Sequence, residues 1–145
     1  MSVLPNSFAL VIDTNIVLDL FVFNDEAAQP LRDLLLTGKL QWLATAPMRT
    51  ELERVLGYPQ IAPRVAFYKL TATDVLKQFD HHTRIVPPAP KSPITCSDPD
   101  DQLFIDLATA HRAPLITKDR DILSMKKRLL VHGVRTGRTL QDVTG

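Results

Sequence analysis

Residues 98–121 read DPDDQLFIDLATAHRAPLITKDRD: a helix, a turn, and a strand that runs out into acids. Asp98 suits the N-cap and Pro99 the first helical position, where a missing N–H costs nothing and nearby acids complement the helix dipole. Phe104, Ile105 and Ala108 follow Asp101 at i+3, i+4 and i+7, so Asp101 shares the apolar face and points inward. Asp100 and Asp106 fall elsewhere. The pattern predicts a helix to about His111 and a strand over 114–117, with Asp119 two residues beyond Thr117. Asp121 competes with Asp119 and could cap the helix that follows.

Working outward, the N-terminal part repeats the same theme. Residues 8–12, FALVI, form an apolar run that ends in Asp13-Thr14-Asn15 and read as a buried strand stopping at a polar turn. Leu31, Leu34 and Leu35 suggest a helix closed by Gly38. Residues 41–45 read as a second strand, and Pro47 opens a helix that runs to about Leu56 and is closed by Gly57. A helical pattern spans 64–80, carried by Val65, Tyr68, Leu76 and Phe79. A brief strand is expected over 84–86. The four prolines within 87–93 demand a non-helical loop. Residues 122–130 read as helical, and a last strand is expected within 131–136. Strands alternating with helices predict a single α/β domain over 1–145 with a mainly parallel central sheet. Ligands of such sheets bind outside the carboxyl ends of the strands, where Asp13 and Asp119 both fall.

Glu51 joins them through helical geometry. Met48, Leu52, Val55 and Leu56 form one stripe of the 47–56 helix; Glu51 lies at its edge and Glu53 nearly opposite, in solvent. An acid beside a buried stripe needs a partner, either a cation or an arginine such as Arg49 or Arg54. Asp13 likewise reads either as a site residue or as a turn or helix cap. Four carboxylates gathered by a fold stay ionised most readily around a hard cation such as Mg²⁺ or Mn²⁺. Such a site most often performs phosphoryl-transfer chemistry.

Composition bounds the alternatives. With 145 residues, 45% of them hydrophobic, the chain can bury one sizeable core. No apolar run is long enough for a membrane span. The segment before Phe8 lacks a basic start and reads as a short lead into a strand. Cys96 is the only cysteine, which precludes an internal disulfide and suits a reducing cytoplasm. The net charge of +1 is unevenly spread: residues 112–145 hold 8 basic and 3 acidic side chains, against 2 and 5 in residues 1–46. Lys118, Arg120, Lys126, Lys127 and Arg128 are therefore candidates to follow a polyanion, or else a solvated face. Serine-hydrolase, P-loop, dinucleotide and zinc-protease motifs are all missing. His81 and His82 are expected at an exposed helix end.

VIDTN at 11–15, TELERVL at 50–56, DPDDQLFIDLA at 98–108 and LITKDRD at 115–121 together resemble the PIN-domain family, in the family's order and spacing. The resemblance covers nearly the whole chain. It is closest to single-domain bacterial PIN proteins that are toxin components of type II toxin–antitoxin systems. It implies a three-layer α/β/α sandwich and places the family's acidic positions on Asp13, Glu51, Asp101 and Asp119. Asp98 and Asp121 stand as outer partners or substitutes, and Asn15 and Thr117 match the auxiliary polar positions. The resemblance further implies an Mg²⁺- or Mn²⁺-dependent nuclease acting on RNA, a homodimeric state and an antitoxin protein as partner. A DNA nuclease of the same fold, or a non-catalytic module that binds RNA or protein, is the alternative. An aspartyl-nucleophile phosphatase would want a second Asp at position 15, which is Asn. The proline loop is the stretch least typical of the family.

Overall fold

The protein is described by a computed structural model over residues 8–144, so the reading of the segment before Phe8 lies outside the described residues. Five parallel strands form one sheet, in the order β3-β2-β1-β4-β5. They are β1 (Phe8–Ile12), β2 (Leu40–Ala44), β3 (Thr83–Ile85), β4 (Leu115–Ile116) and β5 (Thr136–Gly137). The helices are α1 (Thr14–Phe21), α2 (Gln29–Leu36), α3 (Ala46–Leu56), α4 (Ala62–Phe67), α5 (Ala72–His82), α6 (Pro99–His111), α7 (Arg120–Leu123), α8 (Lys126–Val131) and α9 (Leu140–Thr144). A 3₁₀ turn, Glu26–Ala28, precedes α2. Helices α1, α3 and α5 pack on one another, while α6 packs on β1 and β4. This is the expected α/β/α sandwich. No helix among the described residues is long and apolar enough to cross a membrane.

Central strands β1 and β4 are buried where they pair, at Val11, Ile12, Leu115 and Ile116, as parallel strands covered on both faces must be. Trp42 of β2 is buried between Phe21, stacked at 5.9 Å between centroids, and Phe79, edge-on at 5.2 Å. These aromatic pairs fasten α1 and α5 to the sheet.

Several elements depart from the expectation. Helix α1 was foreseen only in the reading of Asp13 as a helix cap, which it is. Ile16 to Leu20 are all buried, and only Asn15 and Phe21 are partly exposed. The 64–80 pattern is two helices, α4 and α5. Lys69 between them adopts the left-handed φ of 60°, and Thr71 then starts α5 with a reciprocal capping box to Asp74. Thr71→Ala is expected to lower stability by about 1 kcal/mol in denaturant unfolding, the ordinary worth of such a cap. The 122–130 pattern also divides, into α7 and α8. Gly133, at φ 81°, turns the chain after α8 and delays the last strand to Thr136–Gly137. Helix α9 closes against β5. A Cβ at Gly137 would collide with the Asp142 side chain, so only glycine permits that approach.

His82 is not at an exposed end as expected. It is half-buried and stacks on Phe21 at 5.9 Å. Burial, followed by the neighbouring His81, lowers its pKa. The proline loop has no regular structure, as expected, but it is firmly tied. Asp106 accepts the Ser92 N–H at 2.8 Å, the Ser92 and Thr109 hydroxyls meet at 3.0 Å, and Gln102 bridges the Ile94 carbonyl and the Cys96 N–H at 2.8 and 2.6 Å.

Candidate active site

The parallel register sets the site. Ile12 pairs with Ile116, and the Asp13 N–H donates to the Ile116 carbonyl at 2.9 Å, so Asp13 and Thr117 leave the carboxyl ends of β1 and β4 side by side. The Thr117 hydroxyl donates to Asp13 Oδ2 at 2.6 Å and accepts the Asp119 N–H at 3.0 Å. Asp13 Oδ1 takes the Thr14 N–H at 2.7 Å. The Thr14 hydroxyl donates to Glu51 Oε1 at 2.6 Å, tying α3 to the start of α1. Asn15 Oδ1 accepts the Lys118 N–H at 3.3 Å and so holds the β4 exit loop against α1.

Glu51 is buried, 9% exposed, whereas Glu53 is exposed, as the helix geometry predicts. The arginine alternatives for Glu51 are not realised. Arg49 is engaged with Asp80 through two hydrogen bonds of 2.7 and 2.9 Å, and Arg54 acts on Glu51 only as a nearby charge. Asp13, Asp98 and Asp119 are each N-cap residues, of α1, α6 and α7. Capping and site membership are thus not exclusive alternatives. Three helix N-termini aim their positive ends at the acids and offset part of their repulsion. The competition near position 119 resolves against Asp121 as the cap. Asp119 Oδ1 accepts the Asp121 and Ile122 N–H groups at 2.8 and 3.4 Å, while Asp121 is exposed and receives the Ser97 hydroxyl at 3.2 Å. Asp98 is exposed and caps the Asp100 N–H.

The electrostatics bind the acids together. Burial pushes the Asp13 carboxyl up to about 6, against the pull of Thr117 and Thr14, and the charges of Glu51 and Asp119 raise it further. Burial also raises Glu51, with the Asp100 and Asp98 charges adding to it. Asp101 is pushed up to about 8, first by burial, then by a hydrogen bond with Asp119 and by the charges of Asp13, Asp119 and Asp98. Thr117→Val is expected to move the Asp13 titration upward, read by carboxyl ¹³C NMR of the metal-free protein, because it deletes a hydrogen bond to the ionised form.

Two oxygens at this site are buried and have no hydrogen-bond partner: Glu51 Oε2 and Asp101 Oδ2. A buried carboxylate oxygen left this way is costly unless a proton or cation supplies the missing charge. All-oxygen donors fit a hard divalent cation in kind. The described residues contain no group of three or more His, Cys, Asp or Glu at metal-holding spacing.

The basic candidates separate. Lys118 Nζ is paired with Asp19 Oδ2 at 2.7 Å. Asp19 is a buried acid on α1 that sequence reasoning missed. Arg120 is exposed at the first residue of α7, beside Asp119. Lys126, Lys127 and Arg128 are exposed on α8, but Lys126 borders a cleft with Val134, Arg135 and Thr136 at the amino end of β5. That cleft is lined by none of the four carboxylates. Arg138, just past the carboxyl end of β5, stands nearer in topology and was missed as a candidate.

The PIN domain profile matches residues 9–121, a span that includes all four acids. The chain belongs to the PIN-domain family, whose members are generally nucleases. Among solved structures it is similar to a chain in the crystal structure of VapBC2 from Rickettsia felis bound to a DNA fragment from their promoter. The identity is 14%, the TM-score is 0.59, and the match covers 90% of this chain and 98% of that chain. At that identity the likeness speaks for the fold. No curated protein matches.

Proposed function

We propose that this chain is a divalent-metal-dependent endoribonuclease and the toxin component of a type II toxin–antitoxin system. The observation that carries the chemistry is the pair of buried, partnerless oxygens, Glu51 Oε2 and Asp101 Oδ2, facing the charge of Asp13 and Asp119. Asp13, Glu51, Asp101 and Asp119 would hold Mg²⁺ or Mn²⁺. A bound ion of this kind polarises a phosphodiester and acidifies a water. The chain's own part is positioning. Thr117 and Thr14 fix both oxygens of Asp13, and Thr14 orients Glu51. Arg120 and Arg138 would meet the substrate backbone. Likeness to VapBC2 supports a partner protein that acts as antitoxin. The free Cys96 suits a cytoplasmic setting, and we include a homodimer in the proposal on family grounds.

The test is side-by-side cleavage of RNA and DNA of one sequence, with Mn²⁺, with Mg²⁺ and with chelator. Endonucleolytic cleavage of RNA that chelator abolishes is the expected result. Cleavage of DNA alone, or cleavage indifferent to chelator, overturns the proposal, and cleavage of neither polymer in any condition points to a non-catalytic module.

A further inference from the structure

A cleft of about 250 Å³ opens beside the acid cluster, bordered by α1 and the loop that follows β5. Its walls are apolar, including Ile16, Leu31 and Ile116. Its polar groups are Asp19, Asp25, Lys118, Arg138 and Thr139. Asp19 is 5% exposed, and its carboxylate holds the Lys118 ammonium at 2.7 Å. Lys118 lies between Thr117 and Asp119, and its N–H is held by Asn15. The ion pair is thus fixed to the acid cluster through the backbone on both sides. Asp142 accepts the Arg138 and Thr139 N–H groups at 3.2 and 3.3 Å, which fixes the opposite rim.

An ion pair with one member buried contributes little net stability, because desolvation offsets its attraction. This pair lines an open cleft with apolar walls and a few fixed polar groups, the usual make-up of a small-ligand site. It presents a strong acceptor next to a strong donor. Guanine's Watson–Crick edge carries two adjacent donors, N1–H and the N2 amino group, followed by the O6 acceptor. A carboxylate takes both donors at once, and the three N–H donors of an ammonium can serve O6 without leaving the carboxylate. Adenine, cytosine and uracil each offer the carboxylate one donor at most on that edge beside an acceptor.

We propose that this cleft is a nucleobase subsite that receives one guanine of the RNA substrate, with Asp19 reading N1–H and N2 and Lys118 reading O6. The proposal rests on the nuclease reading for its substrate, but not for its test. Metal-free protein is titrated with each of the four ribonucleoside 5′-monophosphates, followed by amide NMR. GMP is expected to bind about tenfold or more tightly than the other three, in keeping with one bidentate base contact, and to shift the amides of Ile16, Lys118 and Thr139. Asp19→Asn reduces that preference to about twofold or less. Ala27→Trp fills the cleft from its exposed rim, leaves the Asp19–Lys118 pair in place, and abolishes binding of all four. Equal binding of the four nucleotides overturns the inference, as do shifts centred elsewhere or a GMP preference that survives both substitutions. GMP selectivity in a protein that cleaves no RNA retains the subsite and discards the nuclease. Cleavage of RNA with no GMP selectivity does the reverse.

Discussion

Glu51→Gln is expected to lower cleavage of RNA by about 10²–10³-fold, while Glu53→Gln leaves it near that of the unaltered protein. The two residues are neighbours but one, yet Glu51 is buried with Oε2 unpartnered and Glu53 is in solvent. Loss of one anionic ligand removes several kcal/mol of stabilisation from a metal-assisted step, and each 1.36 kcal/mol is tenfold in rate. The amide that replaces the Glu51 carboxylate retains an oxygen that can accept from Thr14, so the fold should survive. Steady-state cleavage assays on both variants decide the matter, with thermal unfolding as the control for folding. Equal loss in the two variants would remove the basis for placing α3 at the site.

Asp101→Asn should change the response of stability to pH and to metal in opposite senses. Without metal, Asp101 and Asp13 have folded-state pKa values raised to about 8 and about 6 from 3.8. A raised acid favours the folded state while protonated. Its contribution is fully present below the unfolded value and is lost as pH rises through the folded value. The metal-free protein should therefore lose melting temperature as pH rises from about 4 to about 8, and Asp101→Asn should flatten much of that slope. At pH 8 the metal-free variant should equal or exceed the unaltered protein. Saturating Mn²⁺ should reverse the order. A ligand at ~100 times its dissociation constant adds about 2.7 kcal/mol, which is roughly 5–10 °C for a domain of this size. The variant should gain much less. If Asp101→Asn lowers metal-free stability at every pH and keeps the full Mn²⁺ effect, Asp101 is an ordinary helix residue and the ligand is another acid of the DPDD cluster.

Sequence reasoning reached the acids because each is marked by a local rule. Asp13 and Asp119 follow apolar strands at their carboxyl ends. Glu51 and Asp101 ride helices whose stripes can be read by counting. What it missed was settled by tertiary contacts that leave no local trace. Asp19 is buried on α1, and its pairing with Lys118 spans about two thirds of the chain. The break between α4 and α5 turns on one left-handed residue, Lys69, a conformation that lysine rarely announces. The basic cluster on α8 was legible as a charge run, but a run does not say at which end of the sheet it lies.

The tie between the proline loop and α6 bears on how the site is made ready. Two of the acids, Asp98 and Asp101, reach the sheet at the end of residues 87–97, a segment without regular structure. Such a segment would ordinarily surrender about 1–2 kcal/mol of backbone entropy per residue on folding. Prolines lower that cost beforehand by narrowing the unfolded chain. Ser92, Gln102 and Asp106 then hold what remains. Part of the order that places α6 is therefore set by covalent geometry at synthesis, before the chain folds.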